Sequence, residues 1–203
     1  MQSSEKKLLI FDYDGTIADT SELHEIAFQK VLEPFKINFE YSRVAGLKTK
    51  DAIHYCLNSN NINLSKNKVL NLVRNKQEIF QETITNIKPI LGVSEFLNWV
   101  FLKYHLIIAS SGSRVNVLKG LKILGFYKFF NKIICAEDVF IAKPDPEIFI
   151  KALSSTNFTK NDALIFEDSD NGIIAAKSAN IDCFDIRKNS FKDLLNAMKG
   201  NAS

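Results

Sequence analysis

Short apolar runs that end at polar residues recur along this chain, and this pattern restricts its fold more than any other feature. The runs cover residues 8–11, 106–109, 133–135 and 163–166, and the residues that follow them include Asp12, Ser110, Glu137 and Glu167. Runs this short, apolar throughout and bounded by polar residues, are typical of buried strands. The pattern therefore predicts a sheet with both faces covered.

Amphipathic stretches of helical length lie between these runs from about residue 90 onward. They cover residues 93–103, 115–124 and 148–153, and a further strand at 183–186 and a closing helix at 191–198 follow. Alternating strands and helices indicate parallel strands joined by right-handed crossovers. The predicted fold class is α/β, with a Rossmann-like parallel sheet as its core.

Residues 21–86 interrupt the alternation, because they contain helix-like stretches and no convincing strand. These stretches cover residues 22–32, 51–57 and 69–83. We predict a small α-helical cap domain at 19–87, inserted after the first strand into a core domain made of residues 1–18 and 88–203. Ligands of open parallel sheets bind at the carboxyl ends of the strands, so the insertion would act as a lid. Asp19 and Glu22 are predicted to be a capping pair for the first cap helix.

Composition excludes several classes of function. The formal charge is only +3 and the basic residues are scattered singly, which argues against nucleic acid as a partner. No apolar window approaches ~18 residues, so no membrane span is expected, and the apolar stretch ending at Phe11 is too short for a signal peptide. Three widely spaced cysteines argue against a disulfide framework and favour a reducing, cytoplasmic location.

Asp12 and Asp14 form the most informative pair of residues. In an extended segment, side chains two residues apart project to the same side, and Gly15 then allows a sharp turn. Two close carboxylates are tolerated if a hard cation such as Mg²⁺ binds them, or if one of them carries a proton and acts as an acid. The alternative is a plain surface turn. A calcium loop of the EF-hand type has less support, since Ile17 stands where that loop needs glycine.

Three later stretches carry further candidate residues. Ser110, Ser111 and Gly112 precede a helix and could form an anion cradle, although serines also cap helices without binding anything. Lys143, before two prolines, is expected at a strand-to-helix corner, unless it is an ordinary solvated charge. Glu167 and Asp168 form a second acidic pair. They are followed by a helix whose small residues predict close packing on the sheet.

Taken in order, these stretches closely resemble the motifs of the haloacid dehalogenase-like superfamily of phosphohydrolases. DYDGT at 12–16 resembles the first motif, Ser110 the second, Lys143 the third and Glu167-Asp168 the fourth. The helical insertion resembles the small α-helical cap of that family. DGTIADT, KPDPEIF and EDSDNG are most similar to the subgroup that contains β-phosphoglucomutase and phosphoglycolate phosphatase.

The resemblance implies a role for each of these residues. Asp12 would be the nucleophile, and Asp14 would move the proton. Mg²⁺ would be held by Asp12, the backbone carbonyl of Asp14 and Asp168, with Glu167 nearby or acting through water. The phosphate-binding residues would be Ser110, Ser111, Gly112 and Lys143.

Residues on the cap are harder to assign from sequence. By position, His24, Lys48 and Lys50 could face the substrate, although His24 could equally be a helix-face residue and the lysines part of a solvated loop. The stretch GLKTKDA lacks the arginine expected in a β-phosphoglucomutase, and Ala45 stands where a lysine would help.

The sequence therefore predicts a Mg²⁺-dependent phosphatase that acts on a small phosphorylated metabolite through an aspartyl-phosphate. The first alternative is a sugar phosphomutase that uses the same intermediate. The second alternative is a phospho-acceptor signalling module. The predicted lid argues against this alternative.

Overall fold

The computed structural model describes residues 6–200, so the outer ends of the predicted core domain, residues 1–5 and 201–203, lie outside the described residues. Seven strands are present in this part of the chain. They are β1 (Leu8–Phe11), β2 (Ala18–Asp19), β3 (Lys88–Pro89), β4 (His105–Ala109), β5 (Lys132–Ile134), β6 (Ala163–Glu167) and β7 (Asp182–Asp185). Eight α-helices accompany them. They are α1 (Ser21–Leu32), α2 (Thr49–Ser59), α3 (Lys66–Thr83), α4 (Val93–Val100), α5 (Arg114–Ile123), α6 (Glu147–Ser154), α7 (Asp170–Ala179) and α8 (Phe191–Gly200).

Five of the strands form a parallel sheet in the order β5-β4-β1-β6-β7. The strand β1 occupies the centre, and its four residues are all buried. Phe11 at its end pairs with Ile108 of β4 on one side and with Phe166 of β6 on the other. The carboxyl ends of these three strands therefore lie level with one another, and the predicted parallel sheet is confirmed.

Alternate residues of the strands enter two separate apolar layers. Leu9 and Phe11 pack in a cluster that includes residues of α4, α5 and α8, whereas Leu8 and Ile10 pack with residues of α6 and α7. The small residues predicted to pack closely are Ala175, Ala176 and Ala179, and all three are fully buried. Helices therefore cover both faces of the sheet, which leaves the strand ends as the accessible edge.

The helices α1, α2 and α3 form a helical insertion (residues 20–87) that has an apolar cluster of its own, which includes Phe28, Leu32 and Ile53. A two-stranded antiparallel ribbon connects the insertion to the core, because β2 pairs with β3. This ribbon was not predicted from the sequence, since two-residue strands have no recognisable period. Both connections to the core therefore lie side by side, close to the end of β1.

Some predicted local features are wrong. The strand β5 covers residues 132–134, one residue earlier than the predicted 133–135. It ends there because the amide of Cys135 donates to the Asp138 carboxylate at 2.7 Å instead of to a neighbouring strand. Asp19 does not cap the first helix, since Thr20 is the N-cap residue.

The cysteines at 56, 135 and 183 are free, as expected. Among residues 6–200, no helix combines the length and apolarity that a membrane crossing requires.

Candidate active site

Asp12 and Asp14 lie at the carboxyl end of β1, on the side predicted from their spacing. The amide of Asp12 still donates to the Phe166 carbonyl of β6 at 2.9 Å, so its position is set by the sheet. Between the two aspartates, Tyr13 is buried on the opposite side. Gly15 then turns the chain with a φ of 77°, a conformation that glycine adopts without strain.

Lys143 joins three strand ends at the centre of this site. Its side chain is fully buried, and its Nζ donates to Asp12 Oδ1 at 2.5 Å, to Glu167 Oε2 at 2.8 Å and to the Ala109 carbonyl at 3.2 Å. Burial by itself lowers the pKa of Lys143, but the two carboxylates outweigh it and raise the pKa above its ordinary value. Lys143 is therefore a permanent cation beside Asp12.

Glu167 serves mainly to anchor this lysine. Its Oε2 accepts from Lys143, while its Oε1 accepts from the Ser169 hydroxyl at 2.8 Å and from the amides of Ser169 and Asp168 at 3.1 and 3.2 Å. Gly172 provides the space for this carboxylate, because a Cβ there would lie 2.0 Å from its carboxyl carbon. Both oxygens of Glu167 are thus engaged within the protein.

Asp168 lies on the open side of the cluster. Its Oδ1 accepts from the Thr16 hydroxyl at 3.0 Å, and its Oδ2 lies so close to Gly15 that a Cβ there would be 2.1 Å away. Burial and the nearby Glu167 raise the pKa of Asp168 to about 7, against a lowering by Thr16 and Lys143. The raised pKa shows that the ionised form of Asp168 lacks a compensating positive charge, which a bound cation would supply.

The acidic cluster fits a small, hard metal ion. Oxygen atoms of Asp12, Glu167 and Asp168 all lie within 4.8 Å of one another. Burial and then Glu167 raise the pKa of Asp12 well above its ordinary value, even though Lys143 lowers it. Carboxylates that hinder one another's ionisation gain most from a bound cation, and an all-oxygen donor set suits Mg²⁺.

The loop after β4 supplies hydroxyl and amide groups. Ser110 is fully buried, and its Oγ accepts from the Gly112 amide at 2.9 Å. Ser111 and Gly112 line the pocket, and a Cβ at Gly112 would approach Asp14 Oδ2 to 3.1 Å. The predicted anion cradle thus lies directly beside the aspartates, at the start of α5.

The helical insertion contributes a chain of polar contacts that ends on Asp14. His24 of α1 places its Nε2 3.0 Å from Asp14 Oδ1, and the Thr20 hydroxyl donates to the same oxygen at 2.7 Å. Burial would raise the pKa of Asp14, but His24 and Thr20 outweigh it and lower the pKa overall. On the other side of the imidazole, Lys76 of α3 lies 2.6 Å from Nδ1.

Aromatic rings hold His24 in place. Its ring stacks between those of Phe80 and Tyr41, at centroid distances of 4.2 and 5.1 Å. Burial and the adjacent cation of Lys76 lower the pKa of His24, against Asp14, which raises it. Lys76 also lies over the Phe28 and Phe80 rings, and burial lowers its pKa to about 7.

A pocket separates the core from the helical insertion. The core side is lined by Asp12, Asp14, Ser111, Gly112, Asp168 and Ser169, and the insertion side includes His24, Phe28, Tyr41, Val44, Leu47 and Lys76. The space between them is about 30 Å³, roughly the room that two water molecules need. Lys48 and Lys50, expected to face a substrate, are not among the described lining residues. Lys48 contacts core carbonyls and Lys50 is exposed.

Sequence reasoning missed three of the residues around Asp14, namely Thr20, Tyr41 and Lys76. Lys76 is one of several lysines on a strongly polar helix, and its local sequence gives no sign of burial. The hydroxyl of Thr16, the last residue of the first motif, bonds Asp168. The signal that could have identified Lys76 is its spacing from Phe80, four residues on along the helix, which places the two side chains on one face.

The fold and the site define an α/β enzyme whose reactive groups are carboxylates, hydroxyls and a lysine at the ends of parallel strands. Comparison with known proteins agrees, because a family model described as haloacid dehalogenase-like hydrolase matches residues 9–186. The chain belongs to this family. The resemblance seen in the sequence is confirmed, and so is the predicted enzyme class.

Individual relatives include proteins of two activities. A protein of Thermotoga maritima named phosphorylated carbohydrates phosphatase is 30% identical over 179 residues, which cover 86% of this chain and 82% of that protein. The β-phosphoglucomutase of Bacillus subtilis is 29% identical over 184 residues, covering 85% and 80% of the two chains. A crystal structure of β-phosphoglucomutase from Clostridium difficile matches with a TM-score of 0.83 at 23% identity, covering 93% of this chain and 87% of that one. At this identity, the last comparison demonstrates the fold alone.

Proposed function

We propose that this protein is a Mg²⁺-dependent phosphatase that hydrolyses a small phosphorylated metabolite, such as a sugar phosphate, through an aspartyl-phosphate. The observation that carries the proposal is the pairing of Asp12 with Lys143 at 2.5 Å, beside Asp14 and Asp168. This arrangement joins a nucleophile, a fixed cation and a proton carrier at one strand end. The Thermotoga maritima relative supports a phosphorylated carbohydrate as the class of substrate.

In the first step, an oxygen of Asp12 attacks the phosphorus atom. A bond forms between that oxygen and phosphorus, and the bond from phosphorus to the substrate oxygen breaks. Asp14 gives a proton to the departing oxygen, which leaves as an alcohol. Lys143, the Ser110 hydroxyl and the Ser111 amide bind the phosphoryl oxygens that carry the charge, while the Gly112 amide holds the Ser110 Oγ in place.

In the second step, Asp14 works in the reverse direction. Now ionised, it takes a proton from a water molecule whose oxygen attacks the phosphorus atom, and the bond to Asp12 breaks to release inorganic phosphate. His24 and Thr20 lower the pKa of Asp14, and this favours the ionised form that the second step requires.

Mg²⁺ would be held by Asp12, Asp168 and the backbone carbonyl of Asp14. The ion supplies positive charge that allows an anionic carboxylate to approach an anionic phosphate. Glu167 contributes by orienting Lys143 and the Asp168 backbone, since its oxygens are already engaged.

A phosphomutase is the second candidate, because the Bacillus subtilis relative carries that name. A mutase must hold a bisphosphate, and therefore a second phosphate group, within the pocket. Among the described residues that line the pocket, Lys76 is the single lysine or arginine, and it is already bonded to His24. This shortage of cations favours hydrolysis.

The helical insertion together with Asp19 would be the cap domain, residues 19–87, and the rest of the chain the core domain. The substrate would enter between the two. Three free cysteines are consistent with a reducing, cytoplasmic location.

Phosphate release from a panel of hexose phosphates, phosphoglycolate and nucleoside monophosphates tests the proposal, with Mg²⁺ and with a chelator. We expect activity that needs Mg²⁺ and that Asp12→Asn reduces at least ~10³-fold, while Asp51→Asn, at an exposed aspartate, retains it. A folded protein that is inactive on every compound, or a fully active Asp12→Asn variant, would refute the proposed function. Conversion of a sugar 1-phosphate to its isomer without free phosphate would establish the mutase instead.

A further inference from the structure

The loop between α1 and α2 contacts the core outside the pocket. Lys48 extends its Nζ to the Val139 carbonyl at 2.6 Å and to the Phe140 carbonyl at 3.4 Å. Its neighbours Leu47 and Thr49 line the pocket. The side chain of Lys48 therefore reaches past the pocket to the connection between β5 and α6.

Two further contacts come from the same loop. The side-chain amide of Asn171 donates to the Ala45 carbonyl at 2.8 Å. Gly46, with a φ of 82°, lies against Ser169, so that a Cβ on Gly46 would be 2.6 Å from the serine Oγ. Residues 45–48, which we call the clasp loop, thus touch the core at the start of α7 as well as at Val139.

The surface that Lys48 contacts is itself held by hydrogen bonds. The carboxylate of Glu147 accepts from the amide of Phe140 at 2.9 and 3.1 Å, and from the amide of Ile141 at 2.7 Å. These hydrogen bonds fix the orientation of the two peptide groups that contain the Val139 and Phe140 carbonyls. Lys48 contacts both of these carbonyls. This connection also leads, two residues after Ile141, to Lys143.

The pocket must open before a substrate can enter. The space of about 30 Å³ beside Asp12 is too small for a phosphate ester. Both connections of the helical insertion run through the ribbon of β2 and β3, so the insertion can swing as a unit about that ribbon. The contacts of the clasp loop would then break and form again with each turnover.

We propose that Lys48 is a positioning residue that closes the helical insertion over the core by binding the carbonyls of Val139 and Phe140, and that it makes no contact with the substrate. This inference rests on the proposed function for its kinetic consequence but not for its structural one. Lys48 is half-buried, and the net free energy that a hydrogen bond from a charged group contributes is modest. Its loss should shift the balance between closed and open forms about 10-fold.

Lys50 provides a matched control. It follows Lys48 by two residues, and its side chain is exposed. Replacing either lysine by methionine removes one positive charge from the same loop-helix junction and keeps the length of the side chain. Lys48→Arg retains a donor and should restore the contact.

Hydrogen–deuterium exchange of the full-length protein without substrate, read by mass spectrometry, tests the structural part. Lys48→Met should speed exchange at residues 139–141 and in the clasp loop by about 10-fold, whereas Lys50→Met and Lys48→Arg should match the wild type. Unchanged exchange in Lys48→Met, or equal acceleration in Lys50→Met, overturns the proposal.

Kinetics test the second part. Because the Lys48 contact is present in the closed free enzyme and in the closed transition state alike, Lys48→Met should leave kcat/KM nearly unchanged for all phosphate esters in the panel. A loss confined to some leaving groups would place Lys48 on the substrate and overturn the proposal. If the wild type hydrolyses nothing, the proposed function fails, while the exchange result still decides whether Lys48 holds the insertion closed.

Discussion

The Nζ atom of Lys76 lies 2.6 Å from Nδ1 of His24. Asp14 Oδ1, on the other side of the ring, is a carboxylate acceptor whose pKa is lowered, so Nδ1 of the neutral imidazole is the acceptor toward Lys76. The proton of the neutral imidazole is therefore on Nε2, which donates to Asp14 Oδ1. One lysine on α3 thus fixes the tautomer of a histidine on α1 and, through it, the environment of an aspartate on the core.

Burial of Lys76 makes stability depend on pH. Its pKa of about 7 in the folded protein lies below the ordinary 10.5, so the cost of burying the charge is fully present below pH 7. It decreases as the pH rises toward 10.5, because the folded protein then releases a proton that the unfolded chain retains. Lys76→Met should stabilise the protein by on the order of 3 kcal/mol at pH 7 and by little near pH 10.5.

Urea unfolding at several pH values measures this difference. The exposed Lys68 on the same helix provides the control, since Lys68→Met should leave the profile unchanged. Equal stabilisation by Lys76→Met at every pH would contradict the assignment.

The hydroxyl of Thr20 should help to determine the pH at which kcat falls on the acid side of its pH profile, the acid limb. Its hydrogen bond at 2.7 Å favours ionised Asp14, so Thr20→Val should raise the pKa of Asp14. Where the second step limits the rate, Asp14 must be ionised, and the acid limb of kcat should move to higher pH. Thr156→Val removes a similar hydroxyl that bonds the Leu153 carbonyl, outside the described lining of the pocket, and it should leave this limb in place. A limb that stays or moves to lower pH in Thr20→Val would refute the assignment.

Alanine substitutions at Gly15 and Gly125 distinguish the free-energy cost of backbone strain from that of steric overlap. Both have a positive φ, 77° and 71°. An alanine at Gly125 would meet nothing within 4 Å, whereas one at Gly15 would overlap Asp168. Gly125→Ala should cost about 1 kcal/mol, and Gly15→Ala about 2–4 kcal/mol together with most of the activity. Thermal unfolding and phosphate release measure the two effects. Equal costs would mean that Asp168 moves aside freely.

Removal of Lys143 should be severe for both folding and activity. Lys143→Met leaves Asp12 and Glu167 buried without their cation, and breaking such a pair typically costs about 3–5 kcal/mol. The exposed Lys122 on α5 is the control, since Lys122→Met should change neither. Denaturant unfolding and phosphate release provide the two measurements, and a Lys143→Met variant of wild-type stability would argue against the buried pairing.

The sheet and the core motifs could be predicted because their signals are local. Leu8–Phe11 is an uninterrupted apolar run before an aspartate, and the buried strand follows from that pattern, whereas the order of the strands in the sheet was not predicted. The contribution of the helical insertion could not be predicted in the same way. Lys76 reaches His24 only through the packing of α3 on α1, 52 residues apart, and nothing in either helix specifies that contact.

The errors of detail also have physical causes. Thr20 could have been recognised as a helix start, but its hydroxyl bonds Asp14 rather than the helix backbone. Lys48 and Lys50 were expected to behave alike because both follow Gly46, yet one reaches the core and the other is exposed. Such differences depend on which direction each side chain takes from the loop, and the sequence does not encode that direction locally.

The position of Lys143 has a consequence for assembly of the enzyme in the cell. Its ammonium group already compensates part of the negative charge of Asp12 and Glu167 within the polypeptide itself. Folding of the core and binding of a cation at the acidic cluster are therefore separable events.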